Sequence, residues 1–400
     1  MASILINNTS EDNGELKFTL SGVDVSIANA IRRTILADVP TVAFRAFGEK
    51  SDAVFTANTS RLNNEILSQR LSCIPIHIYP NDEEYTISDL LLELDEENTT
   101  DMVRVLTTDD FNIRVISSGA RLSKQKCREI FKPFVSMTGE SFPIQFARLR
   151  QRISDEIPGE KISMTCPFSI GTASENSMFN VVGTCAYGMT VDEGAATRAL
   201  GEKVQQWQSS GMSEGAINLE SLNWALLDKK RIIQPNSFDF VIGTVGPIAN
   251  VDIIAISCQI LISRCNQIIS SIRDGLLVAS NESMSDDNTI EYILENQDYT
   301  IGSVLSHLLY KNYFEGRQTI SLCGFKKMHP HDTHGIIRIM FKDIDDSPAP
   351  SPTVGGRPLR GGGSNEINSV FRENGFEYLL KCCNDAIEIF RTVETLITRK

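Results

Sequence analysis

The sequence predicts an α+β fold, and three observations support that class. Residues 15–20 alternate apolar and polar side chains, as a half-buried strand does. The residues after them place Ile27, Ile31 and Ile35 on one stripe at helical spacing. Two later segments carry apolar side chains at alternating spacings of four and three residues, which is typical of helices that pack on one another. The length of 400 residues exceeds one compact core and indicates two or three domains.

The first helix has a recognisable beginning and end. Asp24 and Ser26 are both suitable N-cap residues, because a short polar side chain can accept a hydrogen bond from the first turn. Pro40 stops the helix, since proline lacks the backbone N–H that a continuing helix needs. Taken alone, this segment predicts only a core helix.

The region after the first helix has a mixed pattern. A helix is predicted over residues 60–71, with an apolar stripe of Leu62, Ile66, Leu67 and Leu71. Residues 162–166 and 179–187 are predicted strands on either side of a polar loop. We interpret residues 42–235 as one inserted α+β domain.

The two long helices carry the strongest apolar pattern. The first follows a strand predicted at 238–243, and its stripe consists of Ile254, Cys258, Leu261, Cys265, Ile268 and Ile272. The second ends the chain, with a stripe of Phe376, Leu379, Cys383, Ala386, Phe390, Val393 and Ile397. Burying each large apolar side chain is worth about 1.5–3 kcal/mol, so two exposed stripes would promote aggregation. The helices are therefore predicted to pack together, with the short helices at 26–37 and 301–312.

Two short motifs resemble a known family. The first helix reads Ala28-Asn29-Ala30-Ile31-Arg32-Arg33 and leads into Val39-Pro40-Thr41, and the second half of the chain contains Asp298-Tyr299-Thr300-Ile301-Gly302. Both resemble the alpha-like assembly subunits of multisubunit RNA polymerases. The first motif is similar to the larger partner, called D in archaea, and the second to the smaller partner, called L in archaea. The resemblance implies an alpha-like dimerisation fold present twice in one chain, as an intramolecular pseudo-heterodimer.

The resemblance also implies a division of the chain. Residues 1–41 and 236–276 would form a discontinuous D-like dimerisation domain around the inserted domain at 42–235. Residues 277–289 would be a flexible linker that lets the L-like domain, residues 290–400, fold back onto the first half. A flexible Pro/Gly-rich loop is predicted at 343–364. Fusion of the two partners suggests a large DNA virus with its own polymerase.

In this family the dimer is the platform on which two large catalytic subunits assemble, together with small polymerase subunits. By resemblance, the partner-binding residues are Asn29, Arg32, Arg33, Asn58, Thr59, Arg61 and Glu65. The apolar spacing of the helices predicts the dimer seam, which consists of Ile27, Ile31, Ile254, Cys258, Leu261, Ile268, Ile301, Leu305, Leu379, Phe390 and Val393. A guanidinium can bind carboxylates or carbonyls in a bidentate manner across an interface. An ordinary exposed helix face is the alternative for Arg32 and Arg33.

The charge distribution argues against direct, sequence-specific nucleic-acid binding. The formal net charge is −13, and residues 81–110 contain eleven carboxylates against the single basic Arg104. Such a surface repels phosphate backbones over a Debye length. A solvated face is the ordinary interpretation of the acidic run, and a docking surface for a basic partner is the alternative.

The sequence predicts no metal and no cofactor. None of the nine cysteines forms a Cys-x-x-Cys pair, and buried, reduced thiols are the better interpretation. Many D-like proteins of the family carry a zinc loop or an iron–sulfur domain, from which this sequence departs. His329, His331 and His334 are close enough in sequence to suggest a metal site, but Pro330 favours an ordinary strand connection.

The chain lacks the motifs of nucleotide chemistry. It has no phosphate-binding Gly-x-x-x-x-Gly-Lys-Ser/Thr loop and no Asp-rich magnesium motif, so no catalytic residue is predicted. No apolar run approaches the ~20 residues that span a bilayer, and we expect an intracellular, soluble protein without membrane contact, in a virion or in the host cytoplasm or nucleus if viral. The rival interpretation is a stand-alone regulatory protein-binding module that uses the same fold.

Overall fold

A computed structural model describes residues 3–46, 48, 51–154, 156–280, 288–342 and 364–399, with side chains in the last range from residue 369. The predicted loop at 343–364 and most of the predicted linker lie outside the described residues. The helices are α1 (Val25–Ala37), α2 (Asn64–Ser72), α3 (Lys124–Ile130), α4 (Glu193–Ser209), α5 (Glu214–Leu226), α6 (Asn250–Arg273), α7 (Tyr299–Leu309) and α8 (Ser364–Thr398).

The strands fall into several antiparallel sheets. They are β1 (Leu5–Asp12), β2 (Glu15–Ser21), β3 (Thr41–Ala43), β4 (Val54–Asn58), β5 (Leu90–Glu97), β6 (Arg104–Thr107), β7 (Asn112–Val115), β8 (Phe134–Val135), β9 (Ser141–Phe142), β10 (Gln145–Leu149), β11 (Lys161–Pro167), β12 (Ser169–Gly171), β13 (Val182–Val191), β14 (Ile233–Thr244), β15 (Val278–Ser280), β16 (Thr289–Leu294), β17 (Ile320–Lys326) and β18 (Gly335–Phe341).

The first sheet has the strand order β1-β2-β14-β13. The alternation predicted for residues 15–20 is present in β2, which buries Leu16, Phe18 and Leu20. The ring of Phe18 stacks on that of Phe240 in β14, with their centroids 5.1 Å apart. The predicted helix follows directly as α1, and the Asp24 side chain accepts a hydrogen bond from the Ser26 N–H at 2.8 Å.

Strand β13 belongs to this first sheet, although the sequence pattern suggested that it lies in an inserted domain ending at residue 235. β13 pairs with β14, with Cys185 opposite Ile242, and Val182 and Cys185 lie in the same hydrophobic core as α1. The strands predicted at 162–166 and 179–187 are therefore in different sheets. The physical reason is that alternation reveals a half-buried strand without revealing its partner.

The second sheet has the order β15-β16-β18-β17. Its first strand corrects the predicted linker at 277–289, because Val278 pairs with Ile293 and Ser280 with Glu291. The polar residues at 281–288 suggested a flexible linker, but the apolar residues just before them complete a β-hairpin. Helix α7 follows β16, and α8 follows β18 in the chain.

Four helices pack between and against these two sheets. Helix α6 lies along α8, α1 contacts both α6 and α7, and α7 contacts α8. One hydrophobic core includes side chains of both sheets and all four helices. All the predicted seam residues are buried in that core: Ile27, Ile31, Ile254, Cys258, Leu261, Ile268, Ile301, Leu305, Leu379, Phe390 and Val393.

A second hydrophobic core lies in the segment between α1 and β13. It is built on a sheet with the order β4-β11-β5-β7 and on the pair β10-β6. Aromatic rings fill its centre, where Phe111 meets Phe131 and Phe146 edge-on. Strands β3 and β12 pair with each other, with Val42 opposite Ile170, so the chain enters and leaves this segment side by side.

Helix α2 supports this second core but begins later than the sequence pattern predicted. The predicted start at Ser60 is wrong, because the Asn63 side chain accepts a hydrogen bond from the Ile66 N–H and caps a helix that starts at Asn64. Leu67 and Leu71 are fully buried, as their spacing predicted. Ile66 is 43% exposed and therefore does not belong to the apolar stripe.

Helix α6 is long and apolar enough to satisfy the length and composition criteria for crossing a membrane. In this structure its apolar side chains are part of the first core, and it packs against α8. Cys258 and Cys265 lie on this buried stripe, and burial raises the pKa of each thiol to about 12. Every cysteine of the chain is a free thiol in the structure.

Candidate assembly interface

The motif at residues 298–302 is the N-terminal turn of α7. Asp298 is the N-cap, and its side chain accepts hydrogen bonds from the Thr300 N–H and the Thr300 hydroxyl, both at 3.0 Å. Ile301 is completely buried in the first core, and Tyr299 packs edge-on against Phe325 of β17 with the ring centroids 5.1 Å apart. Each residue of the motif therefore has a structural task at the point where α7 begins.

Gly302 allows β17 to approach this helix closely. A Cβ atom at Gly302 would lie 2.3 Å from ring atoms of Phe325, and one at Gly335 would lie 2.1 Å from the same ring. Since real Cβ contacts are never this short, the Phe325 ring occupies a slot that needs glycine on both sides. The glycine of the motif is thus required by packing and not by backbone conformation.

Arg33 of α1 connects the first helix with the N-terminus of α7. Its guanidinium donates to the Asp298 carboxylate at 2.9 Å and to the Thr300 hydroxyl at 3.0 Å. The resemblance implied that Arg33 faces an external partner, but the structure places its side chain in a contact within the chain. Its neighbour Arg32 bonds the Asn29 side chain at 2.9 and 3.1 Å, one turn back along the same helix.

Arg264 of α6 extends this contact into a network of four charged residues. Its guanidinium lies 3.0 Å from the carboxylate of Asp38 and 3.7 Å from the Asp298 carboxylate. Asp38 is the C-cap residue of α1, where its backbone N–H donates to the Thr34 carbonyl. The network therefore joins three helices, two from the first half of the chain and one from the second. Its side chains are partly shielded, with Arg264 22% and Asp38 18% exposed.

The two carboxylates of the network have opposite pKa shifts. Burial raises the pKa of Asp38, and the nearby Asp298 carboxylate adds to the rise while Arg264 opposes it. Burial also acts on Asp298, but hydrogen bonds from Thr300 and Arg33 outweigh it and hold the pKa of Asp298 below its usual value. The N-cap of α7 is thus held in its charged form.

Sequence reasoning missed Arg264 and Asp38. A signal was available, because Arg264 is the one charged residue in the sequence from Ile253 to Ile272. A lone charge beside a buried stripe needs a partner, since an unpaired charge in that position is costly. Asp38 gave no comparable signal, because an acidic residue before a proline looks like an ordinary helix end.

Helices α6 and α8 pack against each other. Their buried stripes face each other in the first core, and the Gln259 side chain of α6 donates to the Glu394 carboxylate of α8 at 2.7 Å. At the other end of α8, Gly375 admits the Tyr292 ring, whose hydroxyl donates to the Arg372 carbonyl at 3.2 Å. This contact ties α8 to the second sheet.

The remaining predicted partner-binding residues lie around the turn between β4 and α2. The Asn58 side chain holds this turn, donating to the Leu62 carbonyl at 2.8 Å and accepting from the Ser60 hydroxyl at 2.7 Å. Thr59 accepts a hydrogen bond from the Lys161 N–H at 2.8 Å. Arg61 and Glu65 are both exposed, and neither has an ionic partner among the described residues. The turn therefore presents two opposite charges to solvent.

The acidic run at 81–110 is largely neutralised within the chain. Basic side chains from later segments pair with it: Glu93 binds Arg114 and Arg121, and Asp109 binds Arg128 at 2.8 Å. Further pairs are Glu84 with Lys126, Asp95 with Lys161, Asp101 with Arg152, and Arg104 with Glu96 and Asp110. Much of the predicted acidic face is thus a surface of ion pairs.

No cluster of His, Cys, Asp and Glu side chains suited to a metal ion occurs in the part of the chain that the structure describes. His329 and His331 meet edge-on, with ring centroids 4.9 Å apart, and the His331 N–H donates to the His329 Nδ1 at 3.2 Å. These histidines lie in the connection between β17 and β18, where Pro330 predicted an ordinary loop.

Comparison with known proteins identifies the family. A model of the RNA polymerase Rpb3/Rpb11 dimerisation domain matches residues 17–265, from β2 through most of α6. The chain belongs to this family. The match covers the arginine-bearing helix α1, and it ends one residue beyond Arg264 of the charged network.

Relatives of this Rpb3/Rpb11-type chain are named as RNA polymerase subunits. The human subunit RPAC1 of DNA-directed RNA polymerases I and III is 46% identical over 74 residues, which is 18% of this chain and 20% of that protein. Subunit Rpo3 of Pyrococcus furiosus is 42% identical over 76 residues, 19% of this chain and 27% of that protein. The RPAC1 subunit of Saccharomyces cerevisiae is 24% identical over 234 residues, 53% of this chain and 66% of that protein.

These matches cover less than two thirds of each relative. They establish that the chain is similar to subunits of DNA-directed RNA polymerases and that it has the mixed α/β dimerisation domain predicted from its motifs.

Proposed function

We propose that this chain is a non-catalytic assembly subunit of a DNA-directed RNA polymerase, in which both halves of a D/L-type dimer are fused into one polypeptide. The observation that carries the proposal is the single hydrophobic core shared by α1 and α6 with α7 and α8. In the first half α1 follows β2 and α6 follows β14, and in the second half α7 follows β16 and α8 follows β18. The two helices of each half contact each other. A fold of this kind needs a second copy of itself to cover its helices, and here the same chain supplies that copy.

The second core supports the proposed inserted domain. The chain enters this segment through β3, after α1, and leaves it through β12, before β13, and these two strands pair with each other. An insertion into a loop requires such an arrangement. The segment also contacts α6, because the Tyr79 hydroxyl donates to the Asp252 carboxylate of that helix at 3.3 Å. We infer that the inserted domain has a defined position and can serve as part of a docking face.

The proposed role is to hold docking faces in fixed relation for two large catalytic subunits and for small polymerase subunits. Arg61 and Glu65 favour this role, since unpaired opposite charges on a well-ordered turn suit a polar interface. Asn29 and Arg32 form a second, partly buried polar pair on α1. We assign no catalytic residue, because the sequence has neither a phosphate-binding loop nor a magnesium motif.

Fusion of two partners that occur as separate chains in cellular polymerases suggests a large DNA virus as the source. We therefore propose that the protein is encoded by a virus and acts without membrane contact, either in the virion or inside the infected cell. Helix α6 is compatible with this proposal because its apolar face is covered by α8.

The test is affinity purification of the tagged chain from its native setting, followed by quantitative mass spectrometry. The proposal predicts equimolar recovery of two proteins far larger than this chain. Recovery of the chain alone, or with a partner in small amounts, would favour the rival role as a regulatory binding module. That rival uses the same fold, so this experiment decides the function and leaves the fold assignment unaffected.

A matched pair of variants links the result to the shared core. Leu261 of α6 is fully buried in the first core, whereas Leu219 on α5 is 60% exposed. Leu261→Asp should abolish co-purification, because it buries an unpaired charge. Leu219→Asp should leave it unchanged, which shows that the added charge alone is harmless.

A further inference from the structure

Helices α4 and α5 form a helical hairpin that connects β13 to β14 and lies outside both hydrophobic cores. α5 packs on α4 and on the short helical turn that follows it at Asp228–Arg231. Its inner face buries Trp224, which is 7% exposed. Two residues correspond to slightly more than half a helical turn, so Leu222 points away from Trp224 to the outer face.

This outer face of α5 carries an exposed apolar stripe. Leu219, Leu222 and Leu226 are 60%, 65% and 65% exposed. Together with Gly215 they recur at spacings of four, three and four residues, the alternation that α6 and α8 also show where they pack on each other. A stripe of this kind is typical of a helix that packs on another helix, and it is left uncovered in the described structure.

The stripe is complementary to itself in an antiparallel helix pair. If two copies of α5 run in opposite directions with Leu219 opposite Leu222, then Gly215 of each copy lies opposite Leu226 of the other. No atom lies within 4 Å of the Cβ position of Gly215, so there is room for that leucine. One two-fold axis therefore covers all four positions at once, as an interface between identical surfaces requires.

The charges at the two ends of α5 favour the same arrangement. Glu214 lies in the first turn and Lys230 follows the last one, and both are exposed without an ionic partner among the described residues. In the antiparallel pair, Glu214 of one copy lies at the level of Leu227 of the other, within one helical turn of Lys230. A parallel pair would instead bring like charges together and align the two helix dipoles unfavourably. The charge pattern thus selects an antiparallel second copy.

We propose that α5 is a self-association surface through which two copies of this chain pair in antiparallel orientation along the stripe. The residues that flank the stripe carry no charge that would repel an identical surface: Asn218, Asn223 and Ala225. One helix face buries less than the ~1,600 Å² of a standard interface, so the pair should be weak and reversible, with a dissociation constant on the order of 10–100 µM. The surface lies outside the core shared by α1, α6, α7 and α8, so this pairing does not depend on the assembly role.

The test is sedimentation velocity of the purified full chain at concentrations that bracket this dissociation constant. We expect the sedimentation coefficient to rise with concentration from that of a monomer towards that of a dimer. Leu222→Gln should weaken self-association by about tenfold or more, because it places an amide at the centre of the apolar contact. Leu227→Gln is the matched control, because Leu227 is 68% exposed but lies off the stripe, and it should leave self-association unchanged. Both side chains are exposed, so both variants should fold, and circular dichroism checks this.

An exchange of charges tests the antiparallel orientation. Glu214→Lys and Lys230→Glu should each weaken self-association by about threefold or more, because each places like charges near one another across the pair. The double variant exchanges the two charges and should restore the association. A chain that stays monomeric at every concentration would overturn the proposal, as would self-association that Leu222→Gln leaves unchanged. A double variant no stronger than the single variants would overturn the antiparallel arrangement.

Discussion

Arg33 on the first helix binds Asp298, the residue that caps α7, across 265 positions of sequence and at a distance of 2.9 Å. This contact couples the beginning of one helix to the side of another, so a single carboxylate serves both local and long-range structure. It connects the two sequence motifs that first indicated the family.

Replacing Asp298 should separate these two tasks. Asp298→Ala removes both the cap and the ion pair, and we expect a loss of about 1–2 kcal/mol in the free energy of unfolding. Asp298→Asn retains a capping side chain, so it should lose only the smaller contribution of a partly exposed ion pair, about 1 kcal/mol or less. Urea unfolding at neutral pH measures both values. Equal losses in the two variants would show that the cap contributes nothing.

Variants of Arg33 and of its neighbour Arg32 can be compared to test the other side of this contact. Arg33→Ala should lower the free energy of unfolding, because it leaves Asp298 partly buried with one donor fewer. Arg32→Ala removes only a bond to Asn29 on the same helix, and we expect a change within about 0.5 kcal/mol. Unfolding midpoints in urea compare them. A larger effect for Arg32 would contradict the importance assigned to the contact between α1 and α7.

The pH dependence of stability should reflect the opposite pKa shifts of Asp298 and Asp38. The pKa of Asp298 is lowered by folding, so its contribution is present above the ordinary value of 3.8 and is lost as the pH falls through its lower folded pKa. The pKa of Asp38 is raised, so its contribution is present below 3.8 and is lost as the pH rises through its higher folded pKa.

Variants make these signs measurable between about pH 3 and pH 7. Relative to the unmodified chain, Asp298→Asn should lose stability at neutral pH and lose less on acidification below 3.8. Asp38→Asn should remove the opposite slope just above 3.8. Unfolding midpoints at each pH give both curves, and parallel curves for all three proteins would refute the assigned shifts.

Much of the fold follows from local patterns in the sequence, and the exceptions have a common physical origin. The stripes of α6 and α8 specified helices and their burial, because 3.6-residue periodicity fixes which side chains share a face. The pattern alone predicts β13 as part of the inserted domain and β15 as part of the linker, and the structure pairs them with β14 and β16. The reason is that strand pairing is a long-range property that alternation does not encode. The sequence indicates only part of the charged network. Arg33 and Asp298 belong to the two recognisable motifs, whereas Arg264 can be found only as an isolated charge in an apolar helix.

The slot for Phe325 predicts a specific sensitivity of the motif glycine. Gly302→Ala places a methyl group 2.3 Å from the ring, and we expect a loss of about 1–3 kcal/mol through overpacking. Gly324→Ala is the control, since no atom lies within 4 Å of its Cβ position although it precedes Phe325 directly. Thermal and urea unfolding compare them. If Phe325→Leu fails to restore any stability to Gly302→Ala, the ring is not the source of the strain.

The exposed turn between β4 and α2 should matter for assembly and not for folding. Arg61→Ala and Glu65→Ala remove side chains without ionic partners in the described structure, so the free energy of unfolding should change by less than about 0.5 kcal/mol. If the turn contacts a large subunit, both variants should weaken co-purification of that subunit at low salt. Their difference from the unmodified chain should shrink at higher salt, because salt screens the charge contacts that the variants remove. Asn58→Ala is a contrasting variant, because Asn58 holds the turn through its hydrogen bonds to Leu62 and Ser60 and should affect stability as well. Unchanged recovery of all partners with Arg61→Ala and Glu65→Ala would place the docking face elsewhere, with the Asn29 and Arg32 pair on α1 as the next candidate.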